Sequence, residues 1–191
     1  MQQSRIAYHA DFVVYPVLIL VTILEIAYRF SRPDWTLLLG FAIAGAVLWT
    51  LLEYLMHRFV LHGGTRIASF HNQHHAWPRA LVGTPTWLSV ATIFCIALLP
   101  ALLGAPLIAS LSLAAGLLAA FLWYGLTHYA IHHGKPRVLA LVLAGTARRH
   151  FKHHGHENVN FGVTTSLWDW LLRTSLTTPV PRSGVGGGQG S

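Results

Sequence analysis

Histidine is the residue type in this sequence that could do chemistry by its number and spacing. There are thirteen, and eleven fall in four short runs: "HRFVLH" from His57, "FHNQHH" from Phe70, "HYAIHH" from His128 and "RRHFKHH" from Arg148. Residues three and four apart share one face of an α-helix. His71, His74 and His75 are therefore expected to offer three imidazoles to one place, and His150, His153 and His154 three more. His57 and His62 are five apart, about 140° on a regular helix, and converge only if the helix ends between them, where Gly63 and Gly64 supply a stop. His128 and His132 share a face, whereas His133 is turned about 100° away and stays outside the set. His9 and His156 read as surface groups or as outer contacts of the ligating rings.

Ten convergent imidazoles exceed what one ion can use. Two ions with about five each, leaving positions open for oxygen, account for the number, and neutral imidazole suits Fe, Zn, Cu and Ni. Glu53, one helical turn before His57, could accept the second ring N–H of a ligating histidine and fix its tautomer. A haem reading is the weaker one, because axial ligation uses one or two histidines and "CxxCH" is absent.

The elements that must position these groups are apolar. The chain of 191 residues is 53% hydrophobic and 10% charged, with mean hydropathy +0.50, against roughly a quarter charged in soluble domains. It is an all-α integral membrane protein by composition. Four stretches, Phe12 to Phe30, Trp35 to Leu61, Pro85 to Leu103 and Pro106 to Ile131, each reach the ~20 residues that cross ~30 Å of hydrocarbon. The second outruns the bilayer, so its end should project, carrying His57 and His62. Cys95 lies in an apolar run as an inert thiol.

With the N-terminus cytoplasmic, only Arg29 and Arg32 of the thirteen Lys and Arg residues lie outside, as the positive-inside bias favours. The rest form a cytoplasmic collar that includes Arg58, Arg66, Arg79, Lys135, Arg137, Arg148, Arg149 and Lys152. Such a collar against lipid speaks for anionic headgroups and against nucleic acid. All the clustered histidines share that side. No secretory signal is visible in the first residues. Residues 1–178 read as a single membrane-embedded domain and 179–191 as a flexible Gly/Pro/Ser-rich tail. A metal transporter or sensor is the main non-enzyme alternative, but its ligands should interrupt spans near the midplane.

The series "EYLMHRFVLH", "FHNQHHAWPRALVGTP", "LTHYAIHHG" and "RRHFKHHGHENVNFGVTTSLWDWLLRT" resembles the fatty acid hydroxylase and sterol desaturase superfamily, closest to its fatty acyl 2-hydroxylases. The resemblance spans about Leu48 to Thr174. It implies four transmembrane helices under a cytoplasmic di-metal cap of histidine boxes. The ten histidines chosen by geometry, His57, His62, His71, His74, His75, His128, His132, His150, His153 and His154, fall on the family's ligand positions. His133 stands where that branch has an aromatic residue, and the family offers no role for His156. The resemblance further implies two iron ions, for which zinc can substitute in isolated protein, O2 as co-substrate and two external electrons. The product is a lipid hydroxylated on its acyl chain. Desaturation and sterol or carotenoid oxidation are the alternatives on the same core.

No "HPGG" haem segment, flavin or nicotinamide fingerprint is present, which implies a separate b-type cytochrome or a ferredoxin with its reductase. The compact form suggests a bacterial inner membrane. Trp77, Pro78, Trp87, Trp123, Tyr124 and Tyr129 are candidates for the acyl path, with interfacial anchoring as the alternative. Asn160, Thr164 and Asp169 are candidate supports of the metal shell.

Overall fold

A computed structural model describes residues 3–64, 67–134 and 143–176. The proposed tail, 179–191, and the collar residues Arg66, Lys135 and Arg137 lie outside the described residues. Among those described, all regular structure is helical: α1 (Arg5–His9), α2 (Asp11–Arg29), α3 (Trp35–Leu55), a π-helical turn (Met56–Leu61), α4 (Ala68–Ala76), α5 (Thr86–Leu102), α6 (Leu107–His133), α7 (Ala144–Gly155) and α8 (Leu167–Leu171).

The starts of the long helices follow local chemistry. The Asp34 carboxylate accepts the N–H groups of Thr36 and Leu37, capping α3, while Pro85 and Pro106 precede α5 and α6, where no amide hydrogen is needed. Three continuous helical stretches are long and apolar enough to cross a bilayer: Arg5–Arg29, Trp35–Leu61 and Leu107–His133. The third apolar stretch, Pro85 to Leu103, forms a shorter helix, α5, of 17 residues. At 1.5 Å per residue it rises about 26 Å, a little less than the hydrocarbon core.

α6 is the central element, packed on α2, α3 and α5. Its crossing with α3 is set by two glycines. A Cβ on Gly116 would stand 1.9 Å from the Ala42 carbonyl oxygen, and one on Gly45 would stand 2.4 Å from that of Leu113. The backbones touch there, as small residues permit in membranes, where packing rather than water expulsion joins helices. Below the crossing, Tyr15 stacks on Phe121 at 4.2 Å and donates to the Ser89 hydroxyl at 2.8 Å, so α2, α5 and α6 meet in one core. Val13, Val17, Leu20, Val21 and Leu24 on α2 remain exposed, as side chains bordering lipid do.

All the histidine runs lie beyond one end of this bundle or at its rim. α3 and α6 deliver their C-terminal turns, and α4, α7 and the 159–176 segment close over them.

Candidate metal centre

The end of α3 departs from its regular course at the point where the histidines begin. Met56–Leu61 is π-helical, and the His62 N–H donates to the His57 carbonyl at 3.1 Å, five residues back. An i→i+5 turn stacks residues five apart, so His57 and His62 converge, with ring centroids 5.1 Å apart. The sequence reading had required the helix to end between them. The helix instead widens, and the pair converges within it.

The clusters in α4 and α7 behave differently from their expected shared face. His71 and His75, four apart, join His57, His62 and His153, while His74 joins His128, His132 and His150. Each cluster is divided between two groups of nitrogens, because residues three and four apart lie on opposite flanks of one face and the two groups straddle it. Within each group all the candidate donor atoms lie within 4.8 Å of one another. His154 stands at the seam, its Nε2 3.1 Å from that of His150 and its ring stacked on His75 at 4.3 Å.

In the first group the Nε2 atoms of His57 and His71, of His71 and His62, of His62 and His153, and of His75 and His71 are each 3.0 Å apart. In the second, His74 and His128 are 3.1 Å apart and His132 and His150 2.8 Å apart. Two nitrogens held ~2.1 Å from one ion at a right angle are separated by about 3 Å, so these spacings fit a cation.

The tautomers decide the same way. His57 Nδ1–H donates to the Phe161 carbonyl at 2.5 Å and His153 Nδ1–H to the Val159 carbonyl at 2.8 Å. A neutral imidazole has one proton, so both Nε2 atoms turn lone pairs inward. Those lone pairs are free to ligate a cation held among the neighbouring rings.

Burial keeps these rings in the ligating form. It pushes His74 down to about 3, with His132 the next cause, and His75 to about 3, with His154 next; His153 and His154 fall to about 4. His62 and His71 are lowered by burial as well. All are neutral at pH 7, the form that binds a metal.

A loop carries the supporting contacts. Asp169, buried in α8, accepts the N–H groups of Phe161 and Gly162 at 2.8 Å each and the Thr174 hydroxyl at 2.8 Å. Glu53, expected to take a histidine N–H, instead accepts the backbone amides of Val163 and Thr164 at 2.6 and 2.9 Å. Its acceptor oxygen is taken by these amides, and it pins the loop whose carbonyls face the rings. Asn160 adopts φ +54, a conformation that asparagine tolerates, and its side-chain oxygen accepts the Leu176 N–H at 3.0 Å. Thr164 contributes its backbone amide.

The remaining candidates are dispersed. His133 stacks on Tyr129 at 4.7 Å and His9 contacts the Arg5 carbonyl at 2.8 Å; His156 is exposed. None belongs to either group. Tyr124 stacks on His128 at 5.8 Å, whereas Trp77, Trp87 and Trp123 are exposed. The sequence reading missed Glu157, whose carboxylate oxygens lie 4.0 Å from His62 Nδ1 and 3.8 Å from His75 Nδ1. It also missed the carbonyls of Val159 and Phe161, which have no side-chain signature to read.

The four histidine runs and the loop closing on them lie within residues 42–174, and that stretch matches the Fatty acid hydroxylase family. The chain belongs to this family. Among relatives of this fatty acid hydroxylase family member, rat (Rattus norvegicus) "Fatty acid 2-hydroxylase" is 33% identical over 162 residues, covering 78% of this chain and 42% of the relative. "Dihydroceramide fatty acyl 2-hydroxylase FAH1" of Arabidopsis thaliana is 30% identical over 160 residues, covering 73% of this chain and 62% of that protein. The chain thus spans less than two thirds of the length of either. The solved structure of full-length Scs7p, in which the hydroxylase domain is visible, superposes with TM-score 0.68 at 21% identity, over 89% of this chain and 67% of that one. It shares the fold.

Proposed function

We propose that this family member is a membrane hydroxylase that places one oxygen atom of O2 on the acyl chain of a lipid. The observation that carries the reading is the pair of inward-facing imidazole groups, nitrogen to nitrogen at about 3 Å, at one end of a lipid-bordered helix bundle. The ten histidines from His57 to His154 named above are the ligands of two iron ions. Bound there, the metal pair supplies the dioxygen chemistry needed to break an inert C–H bond. The balance is one O2, two electrons and two protons, giving one alcohol and one water. The electrons come from a separate carrier, a b-type cytochrome or a ferredoxin with its reductase.

The chain's own residues hold and shield the site. The carbonyls of Phe161 and Val159 fix His57 and His153 with Nε2 inward. Tyr124 and the end of α6 form an apolar wall beside His128 that excludes water. α5 joins the three long helices as a fourth span, with its ends at the interface. The N-terminus and the histidine site face the cytoplasm, where Arg58, Arg79, Arg148, Arg149 and Lys152 meet anionic headgroups. Exposed Trp77, Trp87 and Trp123 anchor the interface, so the acyl chain stays in hydrocarbon while its head is held outside.

The names of the relatives, fatty acid and dihydroceramide fatty acyl 2-hydroxylases, support an acyl substrate. The test is mass spectrometry of lipids from cells lacking the protein, complemented with wild type or His74→Ala. A lipid heavier by one oxygen with wild type alone is expected. Loss of two hydrogens would make the enzyme a desaturase, and a change in cellular metal with no lipid change would overturn the enzyme reading.

A further inference from the structure

The histidines of the first group differ in what holds their outer nitrogens. His57 and His153 donate Nδ1–H to backbone carbonyls. His62 and His75 turn Nε2 inward, to within 3.0 Å of His71 Nε2 in both cases, so their protons also sit on Nδ1 when Nε2 ligates. Both Nδ1 atoms face one carboxylate. Glu157 places Oε2 4.0 Å from His62 Nδ1 and Oε1 3.8 Å from His75 Nδ1. The two rings are buried, with side chains 7% and 6% exposed, whereas the Glu157 side chain is 57% exposed. His75 Nδ1 is itself buried with no hydrogen-bond partner. An orphaned buried donor is costly, and the carboxylate that would satisfy it stands within about 1 Å of hydrogen-bond reach.

In the second group His150 lacks this support. Among the described residues, the Nδ1 atoms of His150 and of adjoining His154 are buried without partners, and no carboxylate lies within 4 Å of either.

We propose that Glu157 is a positioning residue that closes on His62 and His75 together, so that the first imidazole group holds its metal more tightly than the second. This rests on the di-metal reading above. One carboxylate accepting from two ligating imidazoles fixes both tautomers and raises the basicity of both Nε2 atoms, and such outer partners are typically worth ~10–100-fold in metal affinity. With four of its five imidazoles held from outside by oxygen, the first group is the preorganised one. The two sites are unequal although both are built from histidine.

The test is chelator challenge of the purified, iron-loaded full-length protein in detergent, following metal per chain with time, for wild type, Glu157→Ala and Glu157→Gln. Wild type is expected to release one equivalent quickly and one slowly. Glu157→Ala should accelerate the slow equivalent about 10-fold or more and leave the fast one unchanged. Glu157→Gln, which retains one acceptor oxygen but no charge, should fall between them. Because Glu157 is exposed, both variants should keep the wild-type thermal transition when metal-free, which separates positioning from folding. An unchanged slow phase in Glu157→Ala, or two indistinguishable phases in wild type, overturns the proposal. A wild-type protein that takes up fewer than two metals would instead overturn the di-metal reading.

Discussion

The Nδ1–H of His57 donates to the carbonyl oxygen of Phe161 at 2.5 Å, joining the end of α3 to a loop 104 residues later. Val159, two residues before Phe161, does the same for His153 at 2.8 Å. One short loop therefore sets the tautomers of two histidines brought in by two different helices. The loop is held in turn by two buried carboxylates, Asp169 beneath residues 161 and 162 and Glu53 beneath 163 and 164. Disturbing either carboxylate should reach the metal without touching a ligand.

Asp169→Ala leaves the amides of Phe161 and Gly162 and the Thr174 hydroxyl without this acceptor. At ~1–3 kcal/mol for each unsatisfied buried donor, the protein should lose about 3 kcal/mol or more. Thermal unfolding in detergent, with metal content measured in parallel, checks this. A variant that melts with wild type and keeps both metals would show that the loop does not depend on Asp169.

His74 and His133 lie at opposite ends of the expected response. His74→Ala removes a nitrogen from the second group and should lower metal content by about one equivalent while abolishing turnover. His133→Ala removes a ring packed on Tyr129, outside both groups, and should keep full metal content. Metal analysis of the two variants side by side distinguishes ligand from neighbour, and equal losses would contradict the grouping.

The α3–α6 crossing predicts a contrast between two glycines. Gly116→Ala drives a Cβ onto the Ala42 carbonyl oxygen at 1.9 Å, and overpacking of this kind costs ~1–3 kcal/mol. Gly40→Ala, on the same helix as Ala42, meets nothing within 4 Å and should be neutral or slightly stabilising. Melting temperatures of the two variants provide the check. Equal effects would mean that the helices can separate at no cost.

Stability of the metal-free protein should fall as the solution is acidified. In the unfolded chain a histidine takes up its proton near pH 6.5, whereas folding holds His74 and His75 at about 3 and His153 and His154 at about 4. Folded values below unfolded ones mean that the contribution is complete above pH 6.5. It is lost progressively from there towards pH 3 to 4, because only the unfolded state binds the protons. The melting temperature should decline between pH 7 and 5, and a flat profile would show that these rings are solvated rather than buried.

Much of this protein was legible in its sequence because the relevant signals are local. Apolar length and the starts at Asp34, Pro85 and Pro106 mark the helices. The ten histidines announce themselves by type and by recurrence at spacings of three and four. Asp169 and Asn160 could be singled out near them. Which imidazole faces which neighbour was not legible, because spacing defines a face and not what lies across it. His71 and His75 part from His74 because the π-helical turn brings His57 and His62 to one flank of α4, α6 brings His128 and His132 to the other, and α7 serves both. His57 and His62 converge through a π-turn, and the spacing of five does not by itself distinguish that from a helix that stops.

Glu53 was read as a histidine partner from its place one turn before His57, but its acceptors' partners arrive from residues 163 and 164, more than a hundred positions away. The outer nitrogens of His57 and His153 are satisfied by backbone carbonyls, which every residue possesses and no sequence pattern marks. The sequence by itself determined the apolar helices and the nitrogen donors, since both depend on residue type and local period. The tertiary structure alone decided how the donors divide into two groups and what holds each ring from behind, since both depend on contacts between segments distant along the chain.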